Sequence, residues 1–132
     1  MPVLVDTNVI LDIVNEDPTW FGWSCDALER AAPGGLLTDA MVYAELCSNA
    51  KSTEEVDALL AAMELQWSDI PRPALFLAAK AHLVYRQRGG TRTTGLPDFF
   101  IGAHAQALGI PILTRDAGRY RTYFPNVPLV SP

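Results

Sequence analysis

Four acidic residues stand where an acid could do chemistry: Asp6 in VLVDTN, Glu45 in YAELCS, Asp98 in LPDFF and Asp116 in ILTRD. Asp6 follows Val3-Leu4-Val5, a short β-branched run that favours a buried strand, and a helix-like spacing resumes at Val9-Ile10-Leu11. Asp6, Thr7 and Asn8 could each cap that helix by accepting from its free N–H groups, so the tripeptide alone leaves cap and site both open. Asp116 follows the apolar pair Ile112-Leu113, at the carboxyl end of another strand. Asp98 lies in the first turn of a helix, where free amides favour its ionised form. Glu45 shares a helix face with Met41, Val42 and Asn49 by three-and-four spacing and points toward apolar neighbours. An inward carboxylate must be paired, neutralised or bound to a metal. Four converging carboxylates repel one another, and no lysine stands beside any of them. A divalent cation solves that problem, and all-oxygen ligation suits Mg²⁺ or Mn²⁺. Such a cluster supports phosphodiester hydrolysis, the metal activating water and offsetting charge in the transition state.

The elements that must position these acids alternate along the chain. A helix from about Asn8 is followed by a second over roughly 19–32, ended by Pro33-Gly34-Gly35. Leu36 to Thr38 reads as a strand, after which Asp39 caps a helix from Met41 to about Ala50. Ser52-Thr53-Glu54-Glu55 opens a helix to about Gln66, and Trp67 to Ile70 is a strand candidate. Pro73 opens a long helix ending near Arg88, and Pro97 opens another closed by Gly109. Strands over 110–114 and 127–130 complete the chain. Strands separated by helices imply a three-layer α/β/α sandwich with a central, mostly parallel sheet. Ligands of such sheets bind outside the carboxyl ends of the strands, where Asp6 and Asp116 fall.

Composition sets bounds on the whole. The 132 residues, 49% hydrophobic and 19% charged, are expected to form one domain over 1–132. No basic lead-in precedes the amino-terminal apolar stretch, and no run is long and apolar enough for a membrane span. Cys25 and Cys47 follow no metal-ligand spacing, so reduced thiols in a cytoplasmic protein are expected. A net charge of −5 argues against coating nucleic acid by bulk electrostatics. Arginines nevertheless gather at Arg86, Arg88 and Arg92 and at Arg115, Arg119 and Arg121, and such patches hold phosphates.

The blocks VLVDTN, YAELCS, LPDFFIGAHAQALG and PILTRDAGRYRTYFPNVPLVSP, in that order and over essentially the whole chain, resemble the PIN-domain ribonucleases. Within them they are similar to the VapC-type toxins of toxin–antitoxin pairs. The resemblance implies metal-binding acids at Asp6, Glu45, Asp98 and Asp116, supported by Thr7, Asn8 and Thr114. It implies a Mg²⁺- or Mn²⁺-dependent endoribonuclease leaving 5′-phosphate and 3′-hydroxyl ends. Arg88 and Arg115 are the expected contacts to the RNA substrate. A small VapB-type antitoxin whose tail covers the site, and a homodimer, are the expected partners. Trp20, Phe21 and Trp23 cannot all face one side of a helix, so at least one should be exposed in a groove for that antitoxin.

Other residues point elsewhere. His82 and His104 have no motif partner and read as structural, and Asp12 reads as solvated. A phosphatase working through an aspartyl-phosphate would also use an Asp after the first strand, with a second Asp two residues on, where this chain has Asn8. A binding module whose carboxylates merely accept a partner's arginines is the third class. Metal-dependent activity on RNA separates it from the nuclease.

Overall fold

Val3, Leu4 and Val5 are all buried, as a strand covered on both faces requires. The computed structural model describes residues 1–91 and 95–132, and Arg92 of the first arginine patch lies outside them. The order is β1 (Val3–Val5), α1 (Thr7–Val14), α2 (Phe21–Ala31), β2 (Leu36–Thr38), α3 (Ala40–Cys47), α4 (Thr53–Ala62) and β3 (Leu65–Trp67). Then come α5 (Arg72–Gln87), α6 (Leu96–Leu108), β4 (Ile112–Leu113), α7 (Gly118–Tyr123) and β5 (Leu129–Val130). Every strand pair is parallel, in the order β3-β2-β1-β4-β5, and helices complete the α/β/α sandwich.

That order creates the place for a site. From β1 the chain winds outward to β2 and β3, then crosses back to add β4 and β5 on the other side of β1. The order therefore reverses between β1 and β4, and their carboxyl ends open the crevice where such sheets bind ligands. The pairing Val5↔Leu113 and the Asp6 amide donating to Leu113 O at 2.9 Å bring Asp6 beside Thr114.

Local chemistry starts and stops the helices. Asp39 Oδ1 accepts the Met41 and Val42 amides and begins α3, and Ser52 Oγ accepts the Glu55 amide to begin α4. α6 enters through Gly95 and leaves through Gly109, at φ +69° and +67°, a conformation that strains residues with a side chain. Several boundaries depart from the sequence-based expectation. α2 starts at Phe21 because Asp17 Oδ1 receives the Thr19 and Trp20 amides in a preceding turn. α4 stops at Ala62, short of Gln66, because the chain turns at Glu64 (φ +58°) into β3. β3 itself covers Leu65–Trp67, since Leu36↔Leu65 and Thr38↔Trp67 set the register. The short helix α7 was not expected at all. Among the described residues no helix is long and apolar enough to cross a membrane.

Gly102 of α6 lies against the Phe124 ring, where an added methyl would overlap it, whereas Gly22 of α2 has open space around it. Gly102→Ala should therefore lower stability by about 1–3 kcal/mol. Gly22→Ala should be neutral or stabilising by up to about 1 kcal/mol. Urea denaturation of the two variants checks this, and equal midpoints would contradict the packing described.

Candidate metal centre

Asp6 caps α1 with one oxygen and gathers side-chain donors with the other. Its Oδ1 accepts the Thr7 amide at 2.8 Å as α1 begins. Its Oδ2 accepts the Thr114 hydroxyl at 2.8 Å, the Tyr120 hydroxyl at 2.9 Å and the Asn8 amide at 3.4 Å. The residue is 4% exposed. Burial, and after it the charge of Asp98, raise its pKa to about 7 against the pull of these hydrogen bonds.

Glu45 comes from α3, half-buried, with Oε1 accepting the Thr7 hydroxyl at 2.7 Å. Burial pushes its pKa up, the Thr7 bond opposes this, and the charges of Asp98 and Asp39 add to it. Asp98, in the first turn of α6, is also raised, chiefly by burial, with Arg119 opposing and Asp116 reinforcing. Asp116 is exposed at the rim, its amide donating to Thr114 Oγ1 at 3.1 Å. Asp98 is thus the hub: its charge acts on Asp6 and Glu45, and that of Asp116 acts on it.

The polar residues around the acids divide the work. Thr7 orients Glu45 and Thr114 orients Asp6. Asn8 ties α1 to the strand-end turn, donating to Thr114 Oγ1 at 3.2 Å and accepting the Arg115 amide at 3.1 Å. Two residues of α7 enter: Tyr120, which sequence reasoning missed, and Arg119, which it placed in an arginine patch and not beside Asp98. Tyr120, 1% exposed, places its hydroxyl 2.9 Å from Asp6 and 3.5 Å from Asp98. Arg119 donates to Asp98 Oδ2 at 2.7 Å, lies over the Tyr85 and Phe99 rings, and passes so close to Gly95 that a side chain there would displace it. Local spacing gives no signal for Tyr120, whose partners Asp6 and Asp98 lie 114 and 22 residues away.

Two expectations need correction. Asp12 is not solvated: it is 2% exposed, accepts the Ser24 hydroxyl at 2.8 Å and receives Nε and Nη2 of Arg115 at 2.8 and 2.9 Å. Arg115 accordingly has its guanidinium fork committed to Asp12, and it lies over Trp20. Arg88, at the end of α5, is not brought to the acids. It sits over Tyr123, one ring further along the stack from Tyr85, over which Arg119 lies. His82 is buried against Phe99, and His104 is fully buried against Asp39. Cys25 and Cys47 are both free.

Among the described residues no three metal-binding groups already form a cage. Three of the acids instead accept from nearby donors, Asp6 from Thr114 and Tyr120, Glu45 from Thr7 and Asp98 from Arg119. The donor set is nonetheless all oxygen, and burial with mutual repulsion pushes the pKa values of Asp6, Glu45 and Asp98 above their ordinary values. These residues fit a hard divalent cation, which would let the acids ionise together.

A parallel sheet with acids gathered at its switch point is the arrangement of the PIN domain. The chain belongs to that family, whose model matches residues 3–125. It is similar in structure to VapBC2 from Rickettsia felis bound to a DNA fragment from its promoter (TM-score 0.73, 22% identity, covering 99% of this chain and 98% of that one). It is also similar to VapBC-1 from nontypeable Haemophilus influenzae (0.72, 16%, 99% and 98%). A third similar structure is Mycobacterium tuberculosis VapC20, a Sarcin-Ricin loop cleaving toxin (0.63, 16%, 91% and 94%). No curated protein sequence matches the chain.

The Asp6 shift makes stability depend on pH. Between the ordinary value of 3.8 and about 7, the folded state keeps a proton on Asp6 that the unfolded chain has lost. Stability of the metal-free protein should therefore fall as pH rises through that window. At pH 8 Asp6→Asn should raise it by roughly 2–4 kcal/mol and flatten the dependence. Thermal melts from pH 5 to 8 in chelator check this, and an unchanged slope in the variant would count against it.

Proposed function

We propose that this chain is a Mg²⁺- or Mn²⁺-dependent endoribonuclease serving as the toxin of a toxin–antitoxin pair. The observation that carries the reading is the meeting of Asp6, Glu45 and Asp98, from three separate elements, at the switch point of a PIN sheet, with the charge of Asp98 raising the other two. Asp6, Glu45 and Asp98, with Asp116 at the rim, are the residues that would hold the cation. Bound there, it would activate a water for attack on a phosphodiester and neutralise charge on the phosphoryl oxygens, leaving 5′-phosphate and 3′-hydroxyl ends.

The chain's own residues do the rest. Thr114 and Tyr120 hold Asp6 Oδ2, and Thr7 holds Glu45. Arg119 keeps one oxygen of Asp98 while the other faces Tyr120. Arg115 contributes positive charge near the cleft rather than a free fork, and exposed Arg88 is the phosphate contact further out. With Arg115 and Arg119 both held by acids, RNA would be selected by shape and exposed loops. A similar structure that cleaves the Sarcin-Ricin loop supports RNA as the substrate class.

A toxin must be silenced in the cytoplasm where it acts. The similarity to VapBC complexes supports a small antitoxin as partner, and a homodimer is the assembly that membership of the family implies. Phe21 is 38% exposed, beside the edge-to-face pair Trp20 and Trp23. An apolar depression nearby, lined in part by Ile13, Cys25, Leu28 and Met63, would receive an antitoxin helix.

Asp98→Asn should lower Mn²⁺-dependent RNA cleavage by about 100-fold or more while the protein stays folded. End-sequencing of RNA treated with wild type and variant measures it, and near-normal turnover would refute the site. Phe21→Ala should weaken capture of the product of the adjacent small reading frame by about 10-fold. Undiminished pull-down would remove the α2 surface from the interface.

A further inference from the structure

Asp39 and His104 form a fully buried pair that is hydrogen-bonded to none of the four acids. Asp39 follows β2. Its Oδ1 accepts the Met41 and Val42 amides at 2.9 and 3.0 Å, which starts α3. Its Oδ2 meets His104 Nδ1 at 2.8 Å, in the second half of α6. Across the ring, His104 Nε2 lies 3.2 Å from Ser68 Oγ, and the Ser68 amide donates to Thr38 O at 2.9 Å. With a carboxylate at Nδ1, the imidazole carries a proton there, and Nε2 faces the Ser68 hydroxyl. The order Ser–His–Asp is that of a nucleophilic triad. Both His104 and Asp39 side chains are 0% exposed, however, so no substrate reaches the imidazole.

The pair's position along its helices suggests another role. Glu45 lies six residues after Asp39, and Asp98 lies six residues before His104. Each spacing is about 9 Å along a helix axis. Helices α3 and α6 pack together, with Asp39 against His104 at one end and the like charges of Glu45 and Asp98 interacting at the other. The two helices thus run antiparallel, joined by the buried pair at one end and carrying like charges toward the other, where the charge of Asp39 also reaches Glu45.

We propose that the Asp39–His104 pair is a positioning brace that clamps α3 to α6, so that Glu45 and Asp98 stay close enough to share one divalent cation although they repel before it arrives. The inference rests on the metal-centre reading above. Neither residue touches the cation. Loss of the brace lets the two acids relax apart, which weakens metal binding while turnover at saturating metal is largely kept.

Electron paramagnetic resonance of free Mn²⁺ during titration of the metal-free protein measures affinity without reference to cleavage. His104→Gln places its amide at the Ser68 side and loses Asp39, whereas His104→Asn keeps a donor where Nδ1 stood. Asp39→Ser keeps an acceptor to start α3 but falls short of His104, and it serves if His104→Gln does not fold. The Gln and Ser variants should bind Mn²⁺ about 10- to 100-fold more weakly than wild type, and the Asn variant within about threefold of it. In RNA cleavage the same two variants should show the raised Mn²⁺ requirement with kcat at saturating Mn²⁺ within about threefold of wild type. Wild-type affinity in the Gln and Ser variants, or an Asn variant as weak as they are, would overturn the brace. Wild type binding no Mn²⁺ would instead overturn the metal reading. The brace would then be judged on crystal structures of the metal-free proteins: a Glu45–Asp98 gap wider in the Gln or Ser variant than in the Asn variant upholds it, and an unchanged gap overturns it.

Discussion

Carboxylates crowded at the switch point are the constraint around which the rest is arranged. Asp6 is buried and within the field of Asp98, Asp98 is within the field of Asp116, and Glu45 is within that of Asp98. The hydrogen-bond donors to Asp6 and Glu45 are amides and hydroxyls, which ease burial without supplying counter-charge. Among the described residues Asp98 has an ion-pair partner, Arg119, and that pair is partly exposed. The residual imbalance is what a divalent ion would cancel, and it costs the metal-free fold stability. Such a cost at a functional site is expected where binding needs an assembled cluster.

The fold answers this constraint with rigid placement. Asp6 is fixed by strand pairing on one side and the first turn of α1 on the other. Glu45 and Asp98 ride on helices, where side-chain direction follows from backbone register. Helix α7, which follows β4, brings the Tyr120 hydroxyl to Asp6 and the Arg119 guanidinium to Asp98. Its seat is aromatic: Tyr85, Phe99 and Tyr123 contact one another edge-on or tilted, and Arg119 lies over the first two. Ring contacts and a cation over ring faces hold that guanidinium with little freedom.

Arginine placement also limits how the proposed nuclease could hold RNA. Arg115 is bound by Asp12 and Arg119 by Asp98, so two cations beside the cleft are already answered by acids. With a chain charge of −5, attraction of a polyanion falls to the bound metal and a few outlying arginines. That balance favours a substrate whose shape presents one phosphate to the cleft over one held along its length.

Much of this was legible in the sequence because its signals are local. The β-branched run before Asp6, the caps Asp39 and Ser52 and the closing Gly109 each act over a few residues, and each stands where expected. The placing of acids after strands followed from the alternation of elements. Boundaries at α4 and β3 moved because sheet register, set by β2, outweighs helix propensity at Met63 and Glu64. Asp12 shows the limit most clearly: its sequence neighbours describe a surface helix, while its partner Arg115 arrives from 103 residues away. Tyr120 reaches Asp6 across 114 residues, and His104 reaches Asp39 across 65. The sequence by itself determined the kinds of element and the acids they carry, because propensity and capping are short-range. Tertiary structure alone decided which donors and counter-ions meet those acids, because such pairings depend on strand order and packing between elements far apart in the chain.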